Sequence, residues 1–225
     1  MKTSSQAVSL PLVNRQSAGS LLARQLEMYS HRPDVLVLGL PRGGLPVAHQ
    51  IAEHLDAPLD VLLVRKLGVP GQRELAFGAI AAGGVRVLDQ EIIRSAHLRP
   101  QKIEQIAAEE LRLLEAGNLR YRERRPAPEI RGRIVIVADD GIATGSTMKA
   151  AVEALRSQNP SKIVVAAPVV SVEAAAMLRE SADEVVSLAQ PDPFYAVGFW
   201  YEDFSQITDD EVYALLNPPA LSQHQ

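Results

Sequence analysis

The sequence predicts an α/β fold built on a mostly parallel, doubly wound sheet. Two observations carry this. Short, β-branched apolar runs recur along the chain, and stretches with helical periodicity alternate with them. Strands joined through helices in this way form a parallel sheet with right-handed crossovers. The chain has 225 residues, 47% of them apolar, which is enough to bury the core of one such domain.

The elements follow in order. Residues 15–30 (RQSAGSLLARQLEMYS) read as an amphipathic helix with Leu22, Leu26 and Tyr29 on one side. Val35–Leu38 is a short buried strand, Gly39–Gly44 a loop and Leu45–Leu55 a helix. Leu59–Val64 is a second strand, ending at Arg65 and Lys66. The Gly/Pro-rich stretch LGVPGQRELAFG, residues 67–78, reads as a mobile loop. Ala79–Ala82 and Val85–Leu88 flank Gly83-Gly84, a hairpin signal.

Pro100 suits the first turn of a helix running to about Arg124. Ile103, Ile106, Ala107, Leu111 and Leu114 make one stripe of it; the rest is charged, so it reads as a long exposed helix with a solvated face. Ile134–Val137 is too short and too β-branched for a helix and reads as a buried strand. A helix over Met148–Ser157 follows it. Ile163–Ala167 and Glu184–Leu188 complete the strands, with a helix at about residues 172–181 between them. The tail after Asn217 is expected to be disordered.

Composition removes several function classes. The net charge of -4 gives no general attraction to nucleic acid, so any phosphate affinity is local. With no cysteine there is no disulfide, thiolate nucleophile or cysteine metal site. The N-terminal residues hold no long apolar region, and no stretch approaches the length of a membrane span. A cytoplasmic protein with neither membrane nor nucleic-acid partners is the expectation. The five histidines show no metal-ligand spacing, and no Ser/His/Asp constellation is evident.

The chemistry concentrates in residues 134–147, IVIVADDGIATGST. Asp139 and Asp140 sit where the strand ends, and Ala143, Thr144, Gly145, Ser146 and Thr147 supply hydroxyls and unobstructed backbone N–H groups. A helix N-terminus behind such a loop attracts anions, because free N–H groups and the helix dipole point at the ligand. Two carboxylates beside a phosphate make sense if they hold ribose hydroxyls or a divalent cation. No Gly-Lys-Ser/Thr follows, which excludes a Walker A loop. The spacing of a dinucleotide fingerprint is also absent.

This run resembles the phosphoribosyl diphosphate (PRPP) motif of type I phosphoribosyltransferases, matching it at every position. The resemblance covers about residues 30–205 and is nearest to uncharacterised bacterial members. It implies a five-stranded core sheet with a small hood from about residues 1–30 and 190–217, in a single domain over residues 1–217. It also implies transfer of a 5-phosphoribosyl group from PRPP to a nitrogenous base or related amine, with release of pyrophosphate. A non-catalytic PRPP or nucleotide sensor, or a hydrolase using the same site, are the alternatives. Mg2+ is the implied cofactor, and a homo-oligomer, a dimer, the implied assembly. Asp139 and Asp140 would hold ribose and metal, and Ala143–Thr147 the 5′-phosphate.

Other segments take roles by the same resemblance. Arg42, Gly43 and Gly44 in the strand-end loop GLPRGGLP would hold pyrophosphate, with a non-proline cis peptide expected near Arg42-Gly43. Arg65 and Lys66 would add charge there. The loop carrying Arg73 and Glu74 would close over the site, with Glu74 as candidate acid-base group. Of 10 aromatic residues, six fall between Phe194 and Phe204, where a flat base could stack. Tyr195, Phe199 and Trp200 are the candidates, and Glu202 or Asp203 would approach the metal. The 6-oxopurine enzymes carry an acid where Ala143 stands and a lysine near the place of Ser171; both departures leave the acceptor open.

Overall fold

The computed structural model describes residues 8–81, 84–122 and 126–217, without the side chains at positions 73 and 74. The chain begins with helix α1 (Arg15–Gln25), a short 3-10 turn (Glu27–Tyr29), strand β1 (Val35–Gly39), helix α2 (Gly44–Leu55) and strand β2 (Leu59–Val61). Strands β3 (Val64–Val69), β4 (Gln72–Ala81) and β5 (Arg86–Leu88) come next, then helices α3 (Gln90–Ser95) and α4 (Pro100–Arg122). Strand β6 (Ile134–Ala138), helix α5 (Ser146–Arg156), strand β7 (Lys162–Val169), helix α6 (Val172–Arg179), strand β8 (Glu184–Ala189) and helix α7 (Asp209–Leu216) complete it.

Five strands form one parallel sheet in the order β2-β1-β6-β7-β8. Every residue of β1 and β6 is buried, which explains their unbroken apolar runs. Alternate side chains serve opposite faces. Leu36, Leu38, Val135 and Val137 pack with α5 and α6, whereas Val35, Val37 and Ile136 pack with α1 and α2. The expected α/β architecture, a five-stranded parallel sheet covered by helices on both sides, is therefore the observed one.

A second, antiparallel sheet of order β3-β4-β5 corrects two expectations. The strand expected over residues 59–64 ends at Val61, and a new one begins at Val64. The stretch expected to be a mobile loop pairs as β3 with β4, turning at Pro70-Gly71. Gly71 adopts φ +80°, which a glycine reaches without steric cost. The register shifts on either side of Gly68, so glycine here marks a bulge within a strand. What fixes the pairing is packing: Leu67 and Phe77 are fully buried against α4 and α7. The hairpin expected beyond them is present as β4 with β5, with residues 82 and 83 outside the described residues.

That packing also corrects the solvated-helix expectation for α4. Its Ile103, Ala107, Leu114 and Tyr121 are buried in the same cluster as Val212 and Leu216 of α7. Its last residue, Arg122, is buried, and its Nε donates to Asp60 Oδ1 at 2.8 Å, tying the helix end to β2. The helix expected to reach Arg124 is described to Arg122, and residues 123–125 and the tail from 218 lie outside the described residues.

The first and last described segments meet above the carboxyl ends of β6 and β7. Leu12 forms a parallel bridge with Tyr201, and the Glu202 N–H donates to the Leu12 carbonyl at 2.7 Å. Leu12, Ala18, Val169 and Tyr201 make the core of this cap, with Phe194, Val197, Trp200 and Phe204 around them. Among the described residues, no helix is long and apolar enough to cross a membrane.

Candidate functional site

Strand register assembles the site. Gly39 of β1 pairs with Ala138 of β6, and Ala138 with Ala166 of β7, so the loop after β1 and the acids after β6 emerge side by side. The Leu40 N–H donates to the Ala138 carbonyl at 2.9 Å, carrying the pairing one residue into the loop. The two segments then touch. A Cβ on Gly43 would lie 1.9 Å from Asp140 Oδ2, and one on Gly44 would lie 2.7 Å from the Ala138 carbonyl oxygen. Only glycines allow that approach. The non-proline cis peptide is at Pro41-Arg42, one bond before the expected Arg42-Gly43.

The acids differ in their surroundings. Asp139 keeps some exposed surface, yet protein encloses its carboxyl. Burial first, and the neighbouring charge of Asp140 second, hold its pKa well above the usual carboxylate range. Its Oδ1 also accepts the Asp140 N–H at 2.9 Å. Asp140 Oδ2 pairs with Arg15 Nε at 2.7 Å. The Asp140 carbonyl accepts the Tyr201 hydroxyl at 2.5 Å, so the cap grips this acid at both ends.

Arg15 was not among the expected site residues. It is the first residue of α1, and Asn14 caps that helix with its side chain on the Ser17 N–H at 2.8 Å. The available signal is its row: Arg15 shares a helical stripe with the buried Ala18 and Leu22. An arginine on an apolar stripe calls for a buried partner.

The loop after the acids is shaped for an anion. Gly145 caps α5 with φ +73°, and a Cβ there would lie 2.5 Å from Met177 Cε. Ala143, Thr144 and Thr147 are exposed, with Ser146 half-buried. Thr144 Oγ1 and Ser146 Oγ lie 3.2 Å apart at the mouth of α5, with the Ser146 N–H facing Thr144 Oγ1 at 3.5 Å; the first N–H groups of a helix lack intrahelical partners and favour an anion. Ser171, where the 6-oxopurine pattern would place a lysine, supports this loop from beneath. Its hydroxyl donates to the Ala143 carbonyl at 2.6 Å and accepts the Ala174 N–H at 3.0 Å, capping α6.

Arg65 and Lys66 do not act as a pair. Neighbours on a strand face opposite ways. Lys66 Nζ donates to Ser146 Oγ at 3.1 Å, beside the anion loop rather than the Arg42–Gly44 loop. Arg65 turns to Glu110 of α4 in an ion pair. The Glu74 side chain lies outside the described residues.

The aromatic candidates also divide. Tyr195 and Phe199 are 68% and 62% exposed, with ring centroids 5.2 Å apart, so they offer open faces. Trp200 packs edge-on to Phe199 at 5.1 Å and is partly buried against the cap core. Its indole nitrogen is buried with no hydrogen-bond partner among the described residues. Asp203 accepts the Ser205 N–H at 3.0 Å. Among the described residues, no group of three or more acidic or histidine side chains gathers into a metal site, so Glu202 and Asp203 are not joined to Asp139 and Asp140.

Comparison with known proteins settles the family. Residues 16–202 match the model of the phosphoribosyl transferase domain. The chain belongs to this family. Two Mycobacterium tuberculosis proteins, from strains H37Rv and CDC 1551, are each 47% identical over 204 residues and bear the name "Putative phosphoribosyl transferase". The match takes in 91% of this chain and 46% of each relative, so the chain spans about half the length of the curated relatives it matches. The crystal structure of TT1426 from Thermus thermophilus is 42% identical, with a TM-score of 0.85 over 92% of this chain and 98% of that one. AQ2163 from Aquifex aeolicus, 12% identical with a TM-score of 0.50 over 93% of this chain and 87% of that one, shares the fold alone.

Within this phosphoribosyltransferase domain, the Arg42–Gly44 loop, Asp140 and the cap frame a cavity of about 360 Å³ lined by Arg15, Arg42, Gly43, Asp140, Phe204 and Gln206. The donor set suits Mg2+. That ion commonly takes one or two protein carboxylates and completes its shell with substrate phosphates and water. Adjacent carboxylates at Asp139 and Asp140, beside an anion-binding loop, meet that description.

Proposed function

We propose that this domain transfers the 5-phosphoribosyl group of PRPP to a nitrogenous acceptor and releases pyrophosphate. The observation that carries the reading is the contact of the Gly43-Gly44 loop with the acid pair, which leads through Gly145 into the N-terminus of α5. It unites two anion-binding loops with an acid pair between them, as a substrate with a phosphate at each end of a ribose requires.

In this reading Ala143–Thr147 and Lys66 hold the 5′-phosphate. Arg42, Gly43 and Gly44 hold the diphosphate. Asp139 and Asp140 hold the ribose hydroxyls and the metal, and oppose the positive charge that develops on the ring. Mg2+, when bound, supplies neutralisation of the diphosphate charge. The acceptor nitrogen forms its bond to the anomeric carbon as the carbon–oxygen bond to the diphosphate breaks, and the electron pair leaves with pyrophosphate. Glu74 remains the candidate to take the acceptor's proton. Tyr195 and Phe199 supply a stacking wall for a flat acceptor.

The test is incubation with PRPP, Mg2+ and a panel of purine, pyrimidine and simple amine acceptors. Pyrophosphate and ribosylated product are both measured. Acceptor-dependent release of both supports transfer. Acceptor-independent release makes the protein a hydrolase, and PRPP binding without release makes it a sensor.

A further inference from the structure

Arg15 occupies a place that the strand-end motifs do not explain. It is only 7% exposed, although it opens a helix. Its Nε donates to Asp140 Oδ2 at 2.7 Å, and its Nη1 to the Ser205 carbonyl at 2.8 Å. The guanidinium carbon sits 3.8 Å from the centroid of the Phe204 ring. Three independent contacts fix the plane of the group.

A guanidinium carries five N–H donors, and these contacts do not exhaust them. The group also lines the cavity of about 360 Å³ shared with Arg42, Gly43, Gln206 and Ile207. Arg42 shares a second cavity wall with Asp209, whose charge acts on it without a close ion pair. The cavity lining holds two guanidinium groups and one carboxylate, Asp140, which Arg15 already pairs, so N–H donors of both arginines are left for an anion.

We propose that Arg15 positions Asp140 and is also the second arginine of the diphosphate subsite, facing Arg42 across the cavity. The inference rests on the reading of the site as one for PRPP. Arginine suits this double duty where lysine does not. Its planar fork can serve a carboxylate on one edge and a phosphate on another, while its face stays stacked on Phe204. The arrangement also couples the cap to the substrate, since Arg15, Phe204 and Ser205 all belong to segments that close over the sheet.

The experiment is calorimetric binding of inorganic pyrophosphate and, separately, ribose 5-phosphate, without metal. Wild type, Arg15→Lys, which keeps an ion pair to Asp140, and Arg15→Gln, which keeps a neutral donor toward Asp140 and the Ser205 carbonyl, are compared, each checked for folding by circular dichroism. Both variants are expected to bind pyrophosphate about tenfold or more weakly, because a charge-assisted fork is lost, and to bind ribose 5-phosphate like wild type. Unchanged pyrophosphate affinity in the folded variants overturns the inference, as does equal loss of both ligands. Wild type binding ribose 5-phosphate but not pyrophosphate sinks this inference alone. Wild type binding neither ligand sinks the functional reading beneath it.

Discussion

Lys66 Nζ donates to Ser146 Oγ at 3.1 Å, joining the antiparallel sheet to the anion loop at the start of α5. The lysine therefore brings its charge to the loop at the start of α5, 80 residues away in sequence from the serine it contacts. Lys66→Met is expected to raise the KM for PRPP by about tenfold or more, since a hydrogen bond to a charged group contributes about 1.5–3 kcal/mol. The melting temperature stays near that of wild type. Steady-state kinetics with a thermal melt checks both. Arg32→Met, just before the start of β1 and paired with Asp34, is the control and leaves KM for PRPP unchanged.

Gly43→Ala places a methyl carbon 1.9 Å from Asp140 Oδ2. Neither loop yields without moving the acid pair. Turnover is expected to fall at least about 100-fold, because small misplacements of reacting groups cost that much. Overpacking of this kind costs about 1–3 kcal/mol of stability. Denaturant unfolding and initial rates test it.

Ser171→Ala removes the hydroxyl that holds the Ala143 carbonyl and caps α6. The lost cap costs about 0.5–2 kcal/mol. The loosened loop weakens PRPP binding while leaving acceptor binding alone. Separate KM values for the two substrates distinguish this from a general loss of structure.

Stability should depend on pH through Asp139. Its folded-state pKa is raised, chiefly by burial and then by Asp140. Above the unfolded value of about 3.9 the unfolded chain gives up this proton while the folded chain keeps it. Stability contributed by this group is thus full at low pH and is lost as pH rises through the folded value. Asp139→Asn, which cannot ionise, is expected to melt higher than wild type at neutral pH, with the gain vanishing toward about pH 4. Melts of metal-free protein across that range check the sign, and a lower melting point at neutral pH would contradict it.

The parts of this protein that were legible in the sequence are those set by local pattern. β6 and its acids could be read because a strand buried on both faces shows an unbroken apolar run, and the loop beyond it has fixed chemistry. The antiparallel sheet was hidden because Gly68, Pro70, Gly71 and Gly78 look like loop residues. Its pairing depends on Leu67 and Phe77 burying against helices far along the chain. The divergence of Arg65 and Lys66 follows from strand geometry, which becomes visible once that segment is known to be a strand. The role of Arg15 is not legible in the sequence, because its partners, Asp140 and Ser205, lie 125 and 190 residues away.

PRPP binding is the property on which every role proposed for this site depends. Isothermal titration of PRPP with Mg2+ into wild type is expected to show one site per chain. The Asp139→Asn/Asp140→Asn variant, folded by circular dichroism, should show no binding heat and no turnover. Wild type without PRPP binding, or the double variant with undiminished binding and activity, would contradict the account.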